Sequence, residues 1–192
     1  MKKVYIIHGW GGKPHEHWMD WLESELKKHE FEVLQPAMPD TDNPEIVAWV
    51  NHLKTVVGTL DRETYFIAHS IATRTLLSYL ETIPENVKVG NMVFIAPWIK
   101  LDMKSIEEEG EESVKIVKSW INIPINFEKI RPHLTKLTAI FSDNDPFVPI
   151  EQKSLFEKEF GAEIIIEHNK GHFTEEDGVT SLPSALEALI RI

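Results

Sequence analysis

A serine lies where a predicted strand meets a predicted helix. Ser70 follows the apolar run 64–68 and precedes leucines that recur at helical spacing. A sharp turn here would present the hydroxyl above the C-terminal edge of a sheet, and it needs small residues two positions before and after the serine. Ala68 and Ala72 satisfy that need, although glycine is the usual residue at both positions. Such a hydroxyl can act as a nucleophile, and the alternative is an ordinary serine N-cap.

Carboxylates and an imidazole follow two later strands. Asp143 and Asp145 come after the predicted strand 137–141, and His172 comes after the predicted strand 163–167, directly behind a glycine. Serine, acid and histidine thus occur in the chain order typical of α/β-hydrolase triads, each just past a strand. In such a triad the imidazole takes the serine proton and the carboxylate orients the imidazole. The three placements together favour catalysis over a turn-shaping aspartate and a surface histidine.

Two further histidines lie close to these residues in the chain. His168 is a rival base, but it stands at the end of the last predicted strand, where we expect a structural or surface role. His69 precedes the serine directly, and we expect its side chain to point the other way and to pack in the interior.

The loop after the first predicted strand can supply a donor to a developing oxyanion. Acyl transfer needs a second backbone N–H beside the one that follows the serine, and glycine lets the backbone approach the substrate oxygen. We predict that the N–H groups of Trp10 and Ile71 form the oxyanion hole and that Gly9 and Trp98 line the substrate pocket. The alternatives are a merely flexible glycine turn and a tryptophan that belongs to the core.

Short apolar runs alternate with helical patterns along the whole chain. This alternation predicts right-handed crossovers and a doubly wound, six-stranded parallel sheet with helices on both faces, in one domain over residues 1–192. The predicted strands are 4–8, 31–35, 64–68, 91–96, 137–141 and 163–167. The predicted helices are 15–28, 44–58, 71–83, 151–160 and 182–190.

Residues 98–131 depart from this rhythm. They contain five glutamates within 107–112, followed by an amphipathic stretch that ends at Trp120. An insertion behind a strand's C-terminal end lies over the crevice where open α/β sheets bind ligands, so it could act as a small lid. The alternative is a solvated helical connection, because charge runs are usually solvent-exposed faces.

Composition excludes several classes of protein. The 192 residues carry a formal charge of -11 and contain no cysteine. A disulfide scaffold, a thiolate zinc site and a cysteine nucleophile are therefore excluded, and binding to nucleic acid or to an anionic membrane is disfavoured by like charge. No run has the length of an export signal or a membrane span, so we expect a soluble cytoplasmic protein.

Two motifs that suggest metal binding are incomplete. His15 and His17 would diverge by about 200° on a helix and could not share a metal. Asp40 and Asp42 are spaced as in a calcium loop, but the glycine and the final acid of such a loop are missing. We therefore expect no metal and no cofactor.

Four segments together resemble a known family. They are His8-Gly9, Ala68-His69-Ser70, Ser142-x-x-Asp145 with Val148-Pro149, and Gly171-His172-Phe173. The chain is similar, over nearly its whole length, to the small serine hydrolases related to retinoblastoma-binding protein nine. The resemblance implies an α/β-hydrolase fold with little or no cap and a triad of Ser70, Asp145 and His172. The chain differs from this family at Ile71-Ala72, where Leu-Gly is common. Because it has no cysteine, it lacks the segment that is linked to the retinoblastoma pocket, so a retinoblastoma-type partner is not expected.

These observations predict a serine hydrolase that acts on a small-molecule acyl substrate. Ser70 would attack an ester, thioester or amide and form an acyl-enzyme that water then hydrolyses. One alternative is a catalytically weak binding or scaffold protein on the same frame, which the two alanines around the serine would favour. Another is acyl transfer to an alcohol other than water.

Overall fold

The structure is a computed structural model, and it describes residues 2–191. Its centre is a six-stranded sheet in which every neighbouring pair of strands is parallel. The strands are β1 (Lys3–Ile7), β2 (Glu32–Leu34), β3 (Thr64–His69), β4 (Asn91–Ile95), β5 (Lys136–Ser142) and β6 (Glu163–Glu167). Their order across the sheet is β2-β1-β3-β4-β5-β6. The predicted doubly wound parallel sheet is thereby confirmed.

Eight helices connect and cover these strands in the described part of the chain. They are α1 (Trp18–Lys28), α2 (Ile46–Val57), α3 (Ile71–Leu80), α4 (Met103–Glu108), α5 (Glu111–Ile121), α6 (Phe127–Ile130), α7 (Lys153–Phe160) and α8 (Pro183–Ile190). Helix α1 packs with α8, and α2 packs with α3. None of the helices within residues 2–191 is long and apolar enough to cross a bilayer.

The order of the strands determines where a site can form. The chain runs from β1 outward to β2 and then returns to β3 on the other side of β1. Open α/β sheets bind their ligands at such a switch point, beyond the C-terminal ends of the strands. The loop that begins at His8 and the turn at Ser70 are the two segments that leave β1 and β3 at this point.

The central strands are readable from the sequence because both of their faces are covered. Every residue of β3 is buried, and four of the five residues of β1 are. A strand buried on both faces needs a continuous apolar run rather than an alternating one. The edge strand β6 is more open, and the Ile166 side chain is exposed.

Several predicted boundaries are wrong. Helix α1 begins at Trp18 rather than at residue 15, because His15 and His17 have φ angles of 66° and 54° that no α-helix accommodates. The argument that these histidines diverge on a helix therefore does not apply. Strand β2 is two residues shorter than predicted, and a 3₁₀ turn over Ile150–Gln152 precedes α7.

Candidate active site

The backbone at Ser70 makes a strained turn between β3 and α3. Its φ is 53° and its ψ is -120°, a conformation that L-residues rarely adopt, and α3 begins at the next residue. The Ser70 N–H donates to the carbonyl of Ile95 on β4 at 2.9 Å. Ala68 and Ala72, two positions away on either side, are completely buried. The Ser70 side chain makes no capping hydrogen bond to α3, so the alternative of an ordinary N-cap does not describe this serine.

The structure brings the three predicted site residues into one hydrogen-bonded chain. His172 Nε2 lies 2.8 Å from Ser70 Oγ, and His172 Nδ1 lies 2.8 Å from Asp145 Oδ2. Because an ionised carboxylate can only accept, Nδ1 carries the proton and Nε2 is free to accept from the serine hydroxyl. The Asp145 side chain is 1% exposed and that of His172 is 14% exposed. The arrangement can move a proton from the serine to the imidazole.

The second oxygen of Asp145 is also occupied. Asp145 Oδ1 accepts from the N–H groups of Phe147 at 2.9 Å and Val148 at 3.0 Å. These two donors fix the carboxylate on the turn at Pro146 and leave only Oδ2 for the imidazole. A carboxylate so restrained can hold one orientation of the ring.

The rival acid and the rival base pair with each other. Asp143 Oδ2 contacts His168 Nδ1, and Asp143 Oδ1 accepts from the Asn169 N–H at 2.9 Å. The Asn169 N–H and then His168 lower the pKa of the Asp143 carboxyl. The His168 side chain is 75% exposed. The pair connects the loops after β5 and β6 at the surface and does not reach the serine.

Sequence reasoning missed the residue that shapes the loop of His172. Asp177 Oδ2 accepts from the N–H of His172 at 2.9 Å and from the N–H and hydroxyl of Thr174. Gly171 has a φ of 50°, and a Cβ there would lie 1.9 Å from Asp177 Oδ1. Asn144 Oδ1 accepts from the Gly171 N–H at 2.9 Å. The glycine before the histidine was the only sequence signal of this tight loop.

The prediction that the His69 side chain points away from the site is wrong. Its ring lies 5.1 Å from the ring of His172, and its Nε2 lies 2.8 Å from the His172 carbonyl oxygen. A carbonyl can only accept, so Nε2 carries the proton. Burial lowers the pKa of His69 to about 3, and the nearby His172 contributes to the same shift. His69 is therefore a neutral donor that connects the serine turn to the loop of the histidine.

A cavity of about 210 Å³ opens at Ser70. Trp10, Ile71, Trp98 and Phe147 form its walls beside the serine and His172, and residues of the segment 98–131 cover it. These covering residues are Leu101, Ile106, Glu109, Ser113 and Val117. The predicted insertion thus contains three helices, α4, α5 and α6, of which α4 and α5 contribute to the lining. Whether it moves as a lid stays a prediction.

The predicted oxyanion donors lie at this cavity, whereas Gly9 lies beside it. Neither the Trp10 nor the Ile71 backbone N–H has a hydrogen-bond partner within residues 2–191. Both residues line the cavity with Ser70. Gly9 is outside that lining: it packs against the side chains of His69 and Ser70, and a Cβ on it would lie 3.0 Å from His69 Nδ1. The missing side chain at Gly9 makes room for this contact rather than for a substrate.

His8 orders the loop that carries Trp10. Its Nδ1 lies 2.9 Å from the Gly9 carbonyl oxygen, and its Nε2 lies 3.1 Å from the Met38 N–H. These partners require a neutral ring with the proton on Nδ1. Burial lowers the pKa of His8, which favours that neutral form.

One cluster within residues 2–191 has the composition of a metal site. His15, Asp20 and Glu23 each bring one ligand atom to within 4.8 Å of the others. However, Asp20 already contacts His15 at 2.9 Å, and Glu23 is paired with Lys27. Each of the three side chains of this cluster thus already has a partner within the protein.

Comparison with known proteins identifies the family. A family model described as serine hydrolase matches residues 4–191. YdeN of Bacillus subtilis is 25% identical over 188 residues, which are 98% of this chain and 94% of that protein. The serine hydrolase RBBP9 of Rattus norvegicus is 22% identical over 174 residues, which are 90% of this chain and 87% of that protein.

Solved structures show the same fold. The crystal structure of the Bacillus subtilis ydeN product superposes with a TM-score of 0.88 at 25% identity, covering 98% of this chain and 97% of that one. Est1E of Butyrivibrio proteoclasticus, solved with bound ferulic acid, superposes with a TM-score of 0.73 at 14% identity, covering 98% and 86%. The predicted α/β-hydrolase fold is confirmed.

Proposed function

This chain belongs to the serine hydrolase family, and from that premise we propose that it cleaves a small ester, thioester or amide through an acyl-enzyme. The observation that carries the proposal is the 2.8 Å contact between His172 Nε2 and Ser70 Oγ, continued through Nδ1 to Asp145. An imidazole in this position can deprotonate the hydroxyl at the moment when the oxygen attacks a carbonyl carbon.

The proposed reaction has two halves. Ser70 Oγ attacks the acyl carbon while its proton passes to His172 Nε2, and the developing oxyanion accepts from the N–H groups of Trp10 and Ile71. The bond to the leaving group breaks as His172 returns the proton to it. Water then attacks the acyl-enzyme with His172 as base, and the acid and free Ser70 are released. Asp145 stays ionised throughout and stabilises the imidazolium.

The cavity favours a short acyl group. A space of about 210 Å³ with walls of tryptophan, phenylalanine and aliphatic side chains accommodates a small apolar chain. Helices α4 and α5 contribute Ile106, Ser113 and Val117 to the lining of this space.

A covalent probe tests the nucleophile. A fluorophosphonate should add to wild-type protein at Ser70, and p-nitrophenyl acetate should be hydrolysed. Ser70→Ala should abolish both, with a fall in kcat of about 10⁶-fold if the triad acts as a unit. Absence of labelling, together with equal ester turnover by wild type and Ser70→Ala, would refute the proposal in favour of a binding protein.

Neighbouring aspartates provide a matched control for the acid. Asp145→Asn should lower kcat by about 10⁴-fold, because the amide favours the wrong tautomer of His172. Asp143→Asn changes an equivalent side chain two residues away that contacts only the His168 loop. It should leave kcat near the wild-type value. Equal losses in steady-state kinetics of the two variants would contradict the assignment of Asp145.

A further inference from the structure

Arg74 is a buried cation behind the candidate active site. It lies on α3, one turn after Ser70, and its side chain is 1% exposed. It makes no ion pair within residues 2–191, and its Nε atom is buried without a hydrogen-bond partner. Burial lowers the pKa of Arg74 to about 10, so the group is charged at neutral pH. The charge of Glu81 opposes this shift but forms no ion pair with Arg74. A buried charge without an ion pair is costly, which raises the question of what this one does.

The guanidinium binds the end of the helix that covers the cavity. Its Nη2 donates to the carbonyl oxygens of Trp120 and Ile123, each at 2.9 Å. Trp120 lies in the last turn of α5, and Ile123 follows the helix. A cation is favourable at this end, because the C-terminal carbonyls carry the negative pole of the helix. Arg74 thus connects the end of α5 to α3, the helix that begins directly after Ser70.

The same group also stacks on the wall of the cavity. The Arg74 guanidinium carbon lies 5.7 Å from the centre of the Trp98 ring, a cation–π contact. Trp98 lines the cavity, and so does Val117, which lies about one turn before Trp120 on α5. Ile71, one turn before Arg74 on α3, forms the wall beside the serine. One cavity-lining side chain, Trp98, and the end of α5 therefore both contact a cation carried by α3.

We propose that Arg74 is a positioning residue that sets the depth of the acyl cavity and thereby restricts the enzyme to short acyl groups. It acts through Trp98 and Val117 and does not touch the substrate. This inference rests on the proposed function, because it concerns the acyl group that Ser70 would receive. Without the two carbonyl contacts, the end of α5 is free to move away from α3 and to deepen the cavity.

The test is the acyl-length selectivity of Arg74→Met. The quantity measured is kcat/KM for p-nitrophenyl acetate divided by kcat/KM for the octanoate, a ratio that does not depend on the fraction of folded enzyme. The methionine fills a similar volume without donors, so the ratio should fall by about tenfold or more. Arg74→Lys keeps the charge and should restore part of the selectivity. Should Arg74→Met not fold, Arg74→Gln and Arg74→Lys give the same comparison.

Arg131 provides the matched control for Arg74. Arg131→Met removes a partly exposed arginine that pairs with Glu159 away from this cavity, and its ratio should equal that of wild type. A ratio for Arg74→Met that is unchanged or higher would overturn the proposal, even if the Tm falls. If the fluorophosphonate does not label wild type and Ser70→Ala turns over esters as fast as wild type does, the proposed function fails separately. Crystal structures of wild type and Arg74→Met then decide, and unmoved Trp98 and Val117 would overturn the inference.

Discussion

At the scale of single residues, the serine and its neighbours are held in conformations that cost free energy. Ser70, Ala96 and Phe173 all have φ angles near +50° to +60°, although none is glycine. Such a conformation costs about 1–3 kcal/mol and persists only where the surrounding contacts determine it. At Ser70 these contacts are the hydrogen bond to Ile95 and the close packing of two alanines. In this turn the hydroxyl lies against His172 Nε2 and makes no hydrogen bond to the first turn of α3.

His69 offers a test of how the imidazole is positioned. His69→Phe removes the donor to the His172 carbonyl and should lower kcat by about tenfold to a hundredfold with little change in KM. His69→Gln places an amide N–H where Nε2 stands and should retain most of the activity. Steady-state kinetics of both variants check this expectation. A larger loss for glutamine than for phenylalanine would contradict it and mean that the packing of the ring, rather than the donor, positions His172.

His69 also predicts a dependence of stability on pH. Above its unfolded pKa of about 6.5 the ring is neutral in both states, so it contributes no pH dependence. Between that value and its folded pKa of about 3, the unfolded chain binds a proton that the folded chain excludes. Burial and then His172 oppose protonation of His69 in the fold, the His172 carbonyl and Asp145 favour it, and His8 opposes it more weakly. The free energy of unfolding should therefore fall on acidification, by up to about 1.4 kcal/mol per pH unit.

Urea unfolding at about pH 7.5 and about pH 5 measures this effect. His8 acts in the same direction, because burial also lowers its pKa. His69→Gln cannot titrate and should lose less stability between the two pH values than wild type does. The same loss in both proteins would show that His69 is not the group that senses pH.

At the scale of elements, a parallel sheet explains why distant residues meet. The strands β3, β5 and β6 end at the same edge, so the segments behind them converge although Ser70 and His172 are 102 positions apart. Each segment then needs a local device that aims its side chain. For β3 the device is the strained turn, for β5 it is the turn at Asp145, and for β6 it is the loop closed by Asp177.

Two glycines of the loop after β6 allow a matched test of how Asp177 holds this loop. Gly171 and Gly178 both have positive φ, so an alanine costs about 1 kcal/mol at either position. Only at Gly171 would the new Cβ meet the Asp177 carboxylate, whereas at Gly178 no atom lies within 4 Å. Gly171→Ala should displace His172 and lower kcat by about a hundredfold. Gly178→Ala should lower the Tm with kcat retained, and a comparable kcat loss in both would contradict the role of Asp177.

At the scale of the whole molecule, the charge of the chain should affect the choice of substrate. There are 31 acidic and 20 basic side chains. Glu109 is the acidic side chain that lines the cavity, and it makes no ion pair within the described residues. An acyl group that ends in a carboxylate would therefore enter against a negative potential.

Paired esters measure this repulsion. Mono-p-nitrophenyl succinate should react with a kcat/KM about tenfold below that of p-nitrophenyl butyrate at low ionic strength. The gap should narrow at about 1 M salt, where the Debye length is about 3 Å. Glu109→Gln should narrow it too, whereas Glu112→Gln, which alters a glutamate paired with Lys115 outside the lining, should not. A gap that is insensitive to salt and to Glu109 would indicate a steric cause.

The sequence by itself determined the sheet and predicted the three residues of the proposed triad. Strands that are buried on both faces need continuous apolar runs in the sequence. The C-terminal ends of parallel strands lie at the same edge of the sheet. Positions such as Ser70, Asp145 and His172 can therefore be recognised by what precedes them. The choice between Asp143 and Asp145 drew on the family resemblance, and the structure then separated the two by their contacts.

Only the tertiary structure decided which side chains support that site. Three contacts join segments that no local sequence pattern connects. They are the hydrogen bonds of His69 to the His172 carbonyl, of Asp177 to the His172 N–H, and of Arg74 to the end of α5. Hydrogen bonds and packing depend on atomic distances, whereas periodicity records only which face of an element is apolar. Spacing along the chain therefore predicts where a loop begins, and the fold alone decides what that loop meets.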